Sequence, residues 1–449
     1  MSRPEPSSLT DWLGGGAAGR RIAMADGALL LDEIVSATSL GDVFDALRGR
    51  SVVLMAGDQL KTVAALIELD GWAHRIVLCP PDLEAAHLRA VIRDAGADAI
   101  VYDGDGEAPH GADRLLLAPC RFPPIRRVAP VAKTVETQWV LLTSGTSGDP
   151  KMVVHTLATL VGAIAARGLD APLQNWATFY DIRRYGGLQI LLRALAGRGS
   201  LTLRSAGEPV EDFLARAGAA GVTHISGTPS HWRLALMNPA ARRIDPDYVR
   251  LSGEIADAAV LDALSALYPR ARVAHAFAST EAGVVFEVDD GQAGFPAACL
   301  RDENNGVALR IVDGALGVRS SRTALRDADG FVDTGDMIAL RGDRCHFVGR
   351  RGGIINVGGA KVNPEEVEAV INLHPGVHAS LVKARRNPIT GALVAADVVL
   401  EDGVREDSIL KDAIIAGCAA RLAPYKVPAL IRFVPALAVT PGGKLARNG

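Results

Sequence analysis

The sequence predicts an α/β protein: a large N-terminal domain of stacked α/β subdomains with a small β-rich subdomain, followed by a small α/β C-terminal domain. Three observations carry this. Short apolar runs alternate with helix-length stretches as far as Thr280, the pattern of a parallel sheet covered by helices. After Gly283 the pattern changes to short strands separated by turn signals. A Gly/Arg-rich segment, Gly349-Arg-Arg-Gly-Gly353, then precedes about 100 residues with helix and strand signals of their own, an ordinary domain size.

The elements follow in order. Ser51-Val-Val-Leu-Met-Ala56 is a short apolar run, Leu60 to Leu69 is helix-like, and Arg75-Ile-Val-Leu-Cys79 is a strand. Leu83 to Ala95 reads as a helix and Ala97-Asp-Ala-Ile-Val-Tyr102 as a strand. A Pro/Arg-rich connection, Pro119 to Pro130, leads to the strand-like Trp139-Val-Leu-Leu142, and the apolar run Met152 to Ala166 reads as a helix. The alternation resumes from Leu188 to Thr280, with strands at Gly221–Ser226 and Ala271–Phe277. Val307–Val312 and Gly330–Asp333 are short strands of the β-rich subdomain, expected over residues 284–350. Asn363-Pro-Glu-Glu opens a helix, because proline fits the first turn and acids favour a helix N-terminus. Strands near Ser380–Ala384 and Ala395–Leu400 and a helix from Ser408 to Leu422 complete the C-terminal domain. The expected boundaries are 1–350 and 351–449.

Bulk properties exclude several function classes. At 449 residues the chain needs more than one core, and 49% hydrophobic content is enough to fill them. Lys and Arg number 48 against 51 Asp and Glu, so no charge excess favours nucleic acid or an anionic membrane. The five cysteines lack Cys-x-x-Cys or Cys/His ligand spacing, which argues against a disulfide framework or a zinc site and fits a reducing cytoplasm. Met1 to Asp11 has no basic start with an apolar core, so no secretory signal is expected. Met152 to Ala166 carries His155, Thr156 and Thr159, too short and too polar for a membrane span.

One loop concentrates chemistry. Thr143, Ser144, Gly145, Thr146, Ser147, Gly148 and Lys151 fall within nine positions. Small residues let backbone N–H groups turn toward a phosphate, hydroxyls donate hydrogen bonds, and lysine adds a point charge. The spacing is not that of a Walker loop, since Lys151 follows proline and precedes methionine. Taken alone, the loop also reads as an ordinary turn.

The loop resembles the phosphate-binding loop of the adenylate-forming superfamily, which includes acyl- and aryl-CoA synthetases, peptide-synthetase adenylation domains and firefly-type luciferases. Further segments match in the family's order. Ser252-Gly253-Glu254 stands at the adenine-binding position, and Phe277-Ala278-Ser279-Thr280-Glu281 is similar to a Tyr-Gly-x-Thr-Glu segment. Asp333-Thr-Gly-Asp336 and Gly349-Arg350 resemble the ribose-binding segments, and Tyr425-Lys-Val-Pro428 with Thr440-Pro-Gly-Gly-Lys444 resembles the C-terminal signature. The resemblance implies ATP, Mg²⁺ and a small-molecule carboxylate as reactants. The acyl acceptor would be CoA or the phosphopantetheine of an acyl or peptidyl carrier protein. It implies that Lys151 and the loop screen the β- and γ-phosphates, Thr280 binds the α-phosphate and Glu281 holds Mg²⁺. Asp336 would accept from ribose hydroxyls, and Arg350 would hold ribose or phosphates. Lys444 would bridge the carboxylate and the α-phosphate, on a mobile lid that then rotates away. A homodimer is compatible with it. Taken singly, Glu281, Asp336 and Lys444 read as a solvated acid, a turn residue and a frayed lysine; the six matches in order are far more specific.

The departures bear on acceptor and substrate. The hinge position holds Gly352, where relatives carry Asp or Lys. Lys361 stands where many relatives place a phosphate-touching Arg, and Gly358-Gly359 beside it would leave room for a pantetheine arm. The acid pocket is expected from Tyr180, Arg184, Gly187, Gly227, Thr228 and Trp232, the last of which reads equally as core. Arg183 or Arg184 would sense an anionic or polar group, or the two form a surface arginine pair near Asp181. Three functions remain: a CoA ligase, a stand-alone adenylation enzyme serving a carrier protein, and a non-catalytic nucleotide or acyl sensor. Two lysines and a metal acid together disfavour the sensor.

Overall fold

Four short runs rich in Val, Ile and Leu, each bounded by Gly, Asp or Arg, build the first sheet. In the computed structural model these are Ser51–Leu54 (β1), Arg75–Leu78 (β2), Ala99–Asp103 (β3) and Leu116–Cys120 (β4), all parallel. Gln138–Thr143 (β5) extends the sheet parallel to β2, and Lys151–Thr156 (β6) closes it antiparallel to β5, giving the order β6-β5-β2-β1-β3-β4. Helices Gln59–Leu69 (α1) and Ala85–Ala95 (α2) supply the crossovers. Asp58 caps α1 by accepting from the N–H groups of Leu60 and Lys61, and α2 stops at Gly96, whose left-handed φ of 56° is cheap only for glycine. Val53, Val77, Ile100 and Val140 meet Leu88, Val91 and Ala95 of α2 in one core. Each of these Val, Ile and Leu side chains contributes about 1.5–3 kcal/mol by leaving water.

The structure describes residues 8–13, 18–80, 83–105, 109, 114–126, 133–143, 150–164, 172–301, 306–320, 329–357, 360–387, 391–440 and 444–446. The chain divides into two compact units: Met1–Ser226 with Ser279–Val284 and Arg322–Leu325, and Gly227–Ala278 with Val285–Ser321 and Arg326–Gly449. Among the described residues no helix is long and apolar enough to cross a membrane.

One expectation is corrected. The run Met152 to Ala166 is not a helix: Lys151–Thr156 is strand β6, and only Leu157–Val161 (α3) is helical. Val153 and Val154 favour a strand, and pairing with β5 satisfies their backbone. Thr156 then starts the helix through a capping box, its hydroxyl accepting from Thr159 N–H while Thr159 Oγ1 accepts from Thr156 N–H.

In the same unit, Trp176–Thr178 (β7) lies parallel to Leu201–Leu203 (β8) and to His224–Gly227 (β9), and helix Tyr185–Ala196 (α4) follows β7. Asp70, just after α1, is 2% exposed and accepts hydrogen bonds from Leu9 N–H at 2.7 Å and Trp139 Nε1–H at 3.0 Å. Burial outweighs these donors and pushes its carboxyl up to about 6. The folded state therefore keeps this proton to higher pH than the unfolded chain. The associated stability is full below about pH 4 and is lost as pH rises through 6, on the order of 3 kcal/mol. We expect urea-unfolding free energies of wild type, relative to Asp70→Asn, to fall between pH 4 and 8. A difference that stays constant over that range would remove Asp70 as the cause.

The second unit has three parts. Helix Pro229–Leu236 (α5), strand Tyr248–Ser252 (β10), helix Ala258–Leu267 (α6) and strand Arg272–Ser279 (β11) come first, with β10 parallel to β11. An antiparallel sheet follows, from Val307–Val312 (β12), Ala315–Ser320 (β13), Val332–Arg341 (β14) and Arg344–Arg350 (β15). Last come helix Pro364–Ile371 (α7), strands Val377–Asn387 (β16) and Gly391–Leu400 (β17), helix Ser408–Ala419 (α8) and strand Leu430–Phe433 (β18). Val367 and Ile371 of α7, Val382, Val398, and Ile414 and Cys418 of α8 form the core of this last part.

Candidate functional site

The two ends of the phosphate loop are joined by strand pairing. Lys151 opens β6 directly across from Thr143, the last residue of β5, so the loop closes a β-hairpin instead of starting a helix. Ser144, Gly145, Thr146, Ser147 and Gly148 lie outside the described residues. Lys151 is exposed.

Further along β6, His155 is 3% exposed, and its Nε2 lies 2.9 Å from the carbonyl oxygen of Thr280. A carbonyl only accepts, so Nε2 carries the hydrogen. Nδ1 faces Thr159 Oγ1 at 3.3 Å. Burial holds the imidazole below its ordinary range, against the pull of the Thr280 carbonyl and the Glu281 charge, so the ring is neutral at pH 7. From the other side Ser279 Oγ accepts from Ala282 N–H at 3.0 Å. The Thr280-Glu281 turn is thereby fixed to the strand that carries Lys151. The sequence expectation missed His155. Its signal was alternation: Val153 and His155 are the buried positions of β6.

The second unit assembles the nucleoside candidates. Ser252 ends β10, and Gly253 follows with φ +89°, a conformation that disfavours a side chain. A Cβ there would lie 3.4 Å from Lys444 Cε and 3.8 Å from Thr228 Cγ2, ordinary contact distances, so the lysine stem lies against Gly253 and the backbone angle, not space, is what favours glycine. Glu254 accepts from Ser230 N–H at 2.9 Å and from Leu445 N–H at 2.8 Å. Asp336 on β14 pairs across the sheet with Arg350 on β15, their side chains 3.3 Å apart, and Arg350 Nη2 donates to the Thr334 carbonyl at 2.8 Å. Burial raises the Asp336 carboxyl above its ordinary range, while Arg350 and then Lys444 draw it back. Lys444 sits at the end of a narrow hairpin: its N–H donates to Thr440 Oγ1 at 3.2 Å and its carbonyl accepts from Thr440 N–H at 2.7 Å. Phe277, near the end of β11, stacks on Phe286 and Phe347. Ser252, Gly253, Glu254, Asp336, Arg350 and Lys444, spread over nearly 200 residues, thus converge.

The expected acid-pocket residues behave differently. Arg183 is 4% exposed, and every nitrogen is engaged. Nε and Nη2 grip Asp181 at 2.8 and 2.5 Å, and Nη1 donates to the carbonyls of Ala56 and Gly57 at 2.8 and 2.6 Å. It is neither a substrate sensor nor half of a surface pair; it ties the chain before α4 to the end of the first sheet. Arg184 occupies the N-cap position of α4 and is half-buried. Gly187 is required by packing, since a Cβ would come within 2.1 Å of the Asp181 carbonyl oxygen. Thr228 caps α5 in a box with His231. Trp232 is 0% exposed, edge-on to Tyr268, which makes it core. Tyr180 and Gly227 are buried.

Lys361 is exposed on a short strand opposite Asn356, and Gly358 and Gly359 lie outside the described residues. Gly352 lies in a short 3₁₀ turn where a Cβ would meet nothing within 4 Å. Among the described residues no three His, Cys, Asp or Glu side chains converge as a metal cage. A single fixed acid such as Glu281 fits magnesium, which takes one or two carboxylates and fills its shell with phosphate oxygens and water.

Residues 44–320 match the family described as AMP-binding enzyme, and residues 366–444 match the AMP-binding enzyme C-terminal domain. The chain is 29% identical to a 2-succinylbenzoate–CoA ligase of Salmonella typhimurium over 79% of each chain. It is 25% identical to the 2-succinylbenzoate–CoA ligase of Geobacillus kaustophilus, over 89% of this chain and 87% of that one. In fold it is similar to an anthranilate CoA ligase solved in complex with anthranoyl-AMP, with a TM-score of 0.81 at 19% identity, covering 99% of this chain and 97% of the other.

Proposed function

The chain belongs to the AMP-binding enzymes, the adenylate-forming superfamily, and on that premise we propose that it is an AMP-forming acid–thiol ligase that makes an acyl- or aryl-CoA. The observation that carries this is the convergence of Lys444 with Asp336 and with Gly253, against which the lysine stem lies. A lysine beside the nucleoside acid suits attack of a carboxylate on the α-phosphorus, where two anions must be brought together.

In the first half-reaction a carboxylate oxygen bonds to the α-phosphorus of ATP and the bond to pyrophosphate breaks. Lys444 holds the carboxylate against the α-phosphate and neutralises the charge that gathers there, while Asp336 and Arg350 orient the ribose. Lys151 and the hairpin loop take the β- and γ-phosphates. Thr280 contacts the α-phosphate, and Glu281 holds Mg²⁺, which when bound would offset phosphate charge. In the second half-reaction the thiol sulfur of CoA attacks the acyl carbon, AMP leaves with the bonding pair, and the thiol proton goes to solvent. Between the halves the C-terminal domain, residues 351–449, turns about Gly352. Neither contact nor φ requires glycine at that position here. Its freedom is useful only if the backbone adopts a second conformation.

The relatives' names favour an aromatic acid. The test is to incubate the protein with ATP and Mg²⁺ and a panel of benzoate, 2-succinylbenzoate, hexanoate and alanine, with and without CoA. Pyrophosphate and AMP are followed separately. We expect pyrophosphate with an aryl acid and CoA-dependent AMP release. Pyrophosphate without CoA-dependent release points to a carrier-protein acceptor, and none with any acid overturns the reading.

His155→Ala is expected to weaken the apparent Mg²⁺ affinity of adenylation about 10- to 100-fold, as loss of a residue supporting a metal ligand does elsewhere. Mn²⁺ binding in the presence of ATP, read by electron paramagnetic resonance, checks it without turnover. Unchanged Mn²⁺ affinity would mean that the hydrogen bond to Thr280 does not hold Glu281 in place.

A further inference from the structure

Two carboxylates on the loop between β10 and α6 each point two ways. Glu254 Oε2 accepts from the N–H of Ser230, in the first turn of α5, at 2.9 Å. Its Oε1 accepts from Leu445 N–H, 191 residues away, at 2.8 Å. Asp257 Oδ1 caps α6 through Val260 N–H at 3.1 Å. Its Oδ2 lies 2.6 Å from Arg233 Nη2 on α5 and 3.0 Å from Asn372 Nδ2, just past the end of α7. The Asn372 amide is oriented by its other end, where Oδ1 accepts from Ser380 Oγ at 2.8 Å. Asp257 and Asn372 are each 8% exposed. Each acid is thus held by α5 and also accepts from the C-terminal segment, Glu254 through its second oxygen and Asp257 through the oxygen that it shares between Arg233 and Asn372.

This arrangement makes the carboxylates preformed receptors. A carboxylate oxygen facing an N–H is a strong and directional contact, and the donors that the C-terminal segment brings to these two acids are the Asn372 side chain and the Leu445 backbone. The Leu445 N–H is one peptide away from Lys444, and the lysine stem lies against Gly253. Adjacent residues therefore meet adjacent residues: Gly253 touches the Lys444 stem and Glu254 holds the Leu445 N–H. The Glu254 carboxylate faces protein donors at both oxygens, where the resemblance implied an adenine contact for this segment.

Resting on the ligase reading above, we propose that Glu254 and Asp257 are positioning residues that catch the C-terminal segment at Leu445 and Asn372. They hold Lys444 in place for adenylate formation and release it for thioester formation. The catch acts on one half-reaction only, because Lys444 serves only the first.

The experiment compares the full-length chain with Glu254→Gln, Asn372→Ala and Leu445→Pro. Glu254→Gln replaces one acceptor by a donor. Leu445→Pro deletes the N–H from the opposite side and leaves Glu254 intact, which guards against a folding defect in the first variant. Two rates are measured: ATP–pyrophosphate exchange with the fastest acid of the panel, and CoA thioester formation from the chemically prepared acyl-adenylate. We expect exchange to fall about 10-fold in each variant, with the thioester rate unchanged or raised. Equal loss of both rates, or unchanged exchange, overturns the catch. Wild type and Lys444→Ala are the controls: no exchange by the wild type with any acid fails the ligase reading itself, exchange retained in Lys444→Ala removes the lysine that the catch is meant to hold, and a dead Lys444→Ala beside fully active catch variants sinks only this proposal.

Discussion

Lys444→Ala is expected to lower carboxylate-dependent ATP–pyrophosphate exchange by about 100- to 1000-fold, the cost of removing one group that stabilises developing charge. The side chain is exposed at the end of its hairpin, and the hairpin is held by backbone and Thr440 contacts that alanine retains. Folding should therefore be unaffected. ATP binding should mostly survive, because the β- and γ-phosphate contacts are assigned to Lys151 and its loop. Isotope exchange reads the first quantity and calorimetric titration with ATP the second. Exchange at the wild-type rate would remove Lys444 from the chemistry. Loss of ATP affinity equal to the loss of exchange would make it a general nucleotide clamp, acting in the ground state as much as in the transition state.

Arg183→Ala is expected to destabilise the protein by about 3–5 kcal/mol, the range for breaking one side of a buried ion pair. The alanine would leave the Asp181 carboxylate and the carbonyls of Ala56 and Gly57 without their guanidinium donor. Arg183→Lys should rescue little, since an ammonium cannot reproduce the fork that grips Asp181 at two oxygens while reaching two carbonyls. Denaturant midpoints with an unchanged m-value check it. A variant that keeps its midpoint but changes its acid preference would restore the sensor role that the geometry removes.

Much of the architecture was legible in the sequence, because strands and helices of an α/β protein write their periods locally. Ser51–Leu54, Arg75–Leu78 and Ala99–Asp103 are short apolar runs in sequence and parallel neighbours in space. The misread element, Met152 to Ala166, failed for a physical reason. Its apolar composition suits either period, and the choice was made by β5, a partner beyond the window of any local pattern. The candidate site was legible through the ordered resemblance, as at Asp336, Arg350 and Lys444, which lie near one another in the fold. It was hidden where a residue acts by holding another. His155 supports Thr280 from 125 residues away, and Glu254 meets Leu445 across 191. Arg183 read as a sensor or as half of a surface pair, yet it is buried and its four side-chain contacts are all with the chain itself.

Strand β6 works as a ruler. Lys151 and His155 are four residues apart, so they project to the same face of an extended chain about 13 Å from each other. Substitutions along β6 keep that spacing. A one-residue insertion or deletion between the two cannot, because it turns one end to the opposite face and severs the alignment of the phosphate lysine with the Thr280-Glu281 turn. Length, more than residue identity, is therefore the property of Met152-Val153-Val154 under constraint, and a library of single-residue indels there should be purged of active clones while conservative point changes persist.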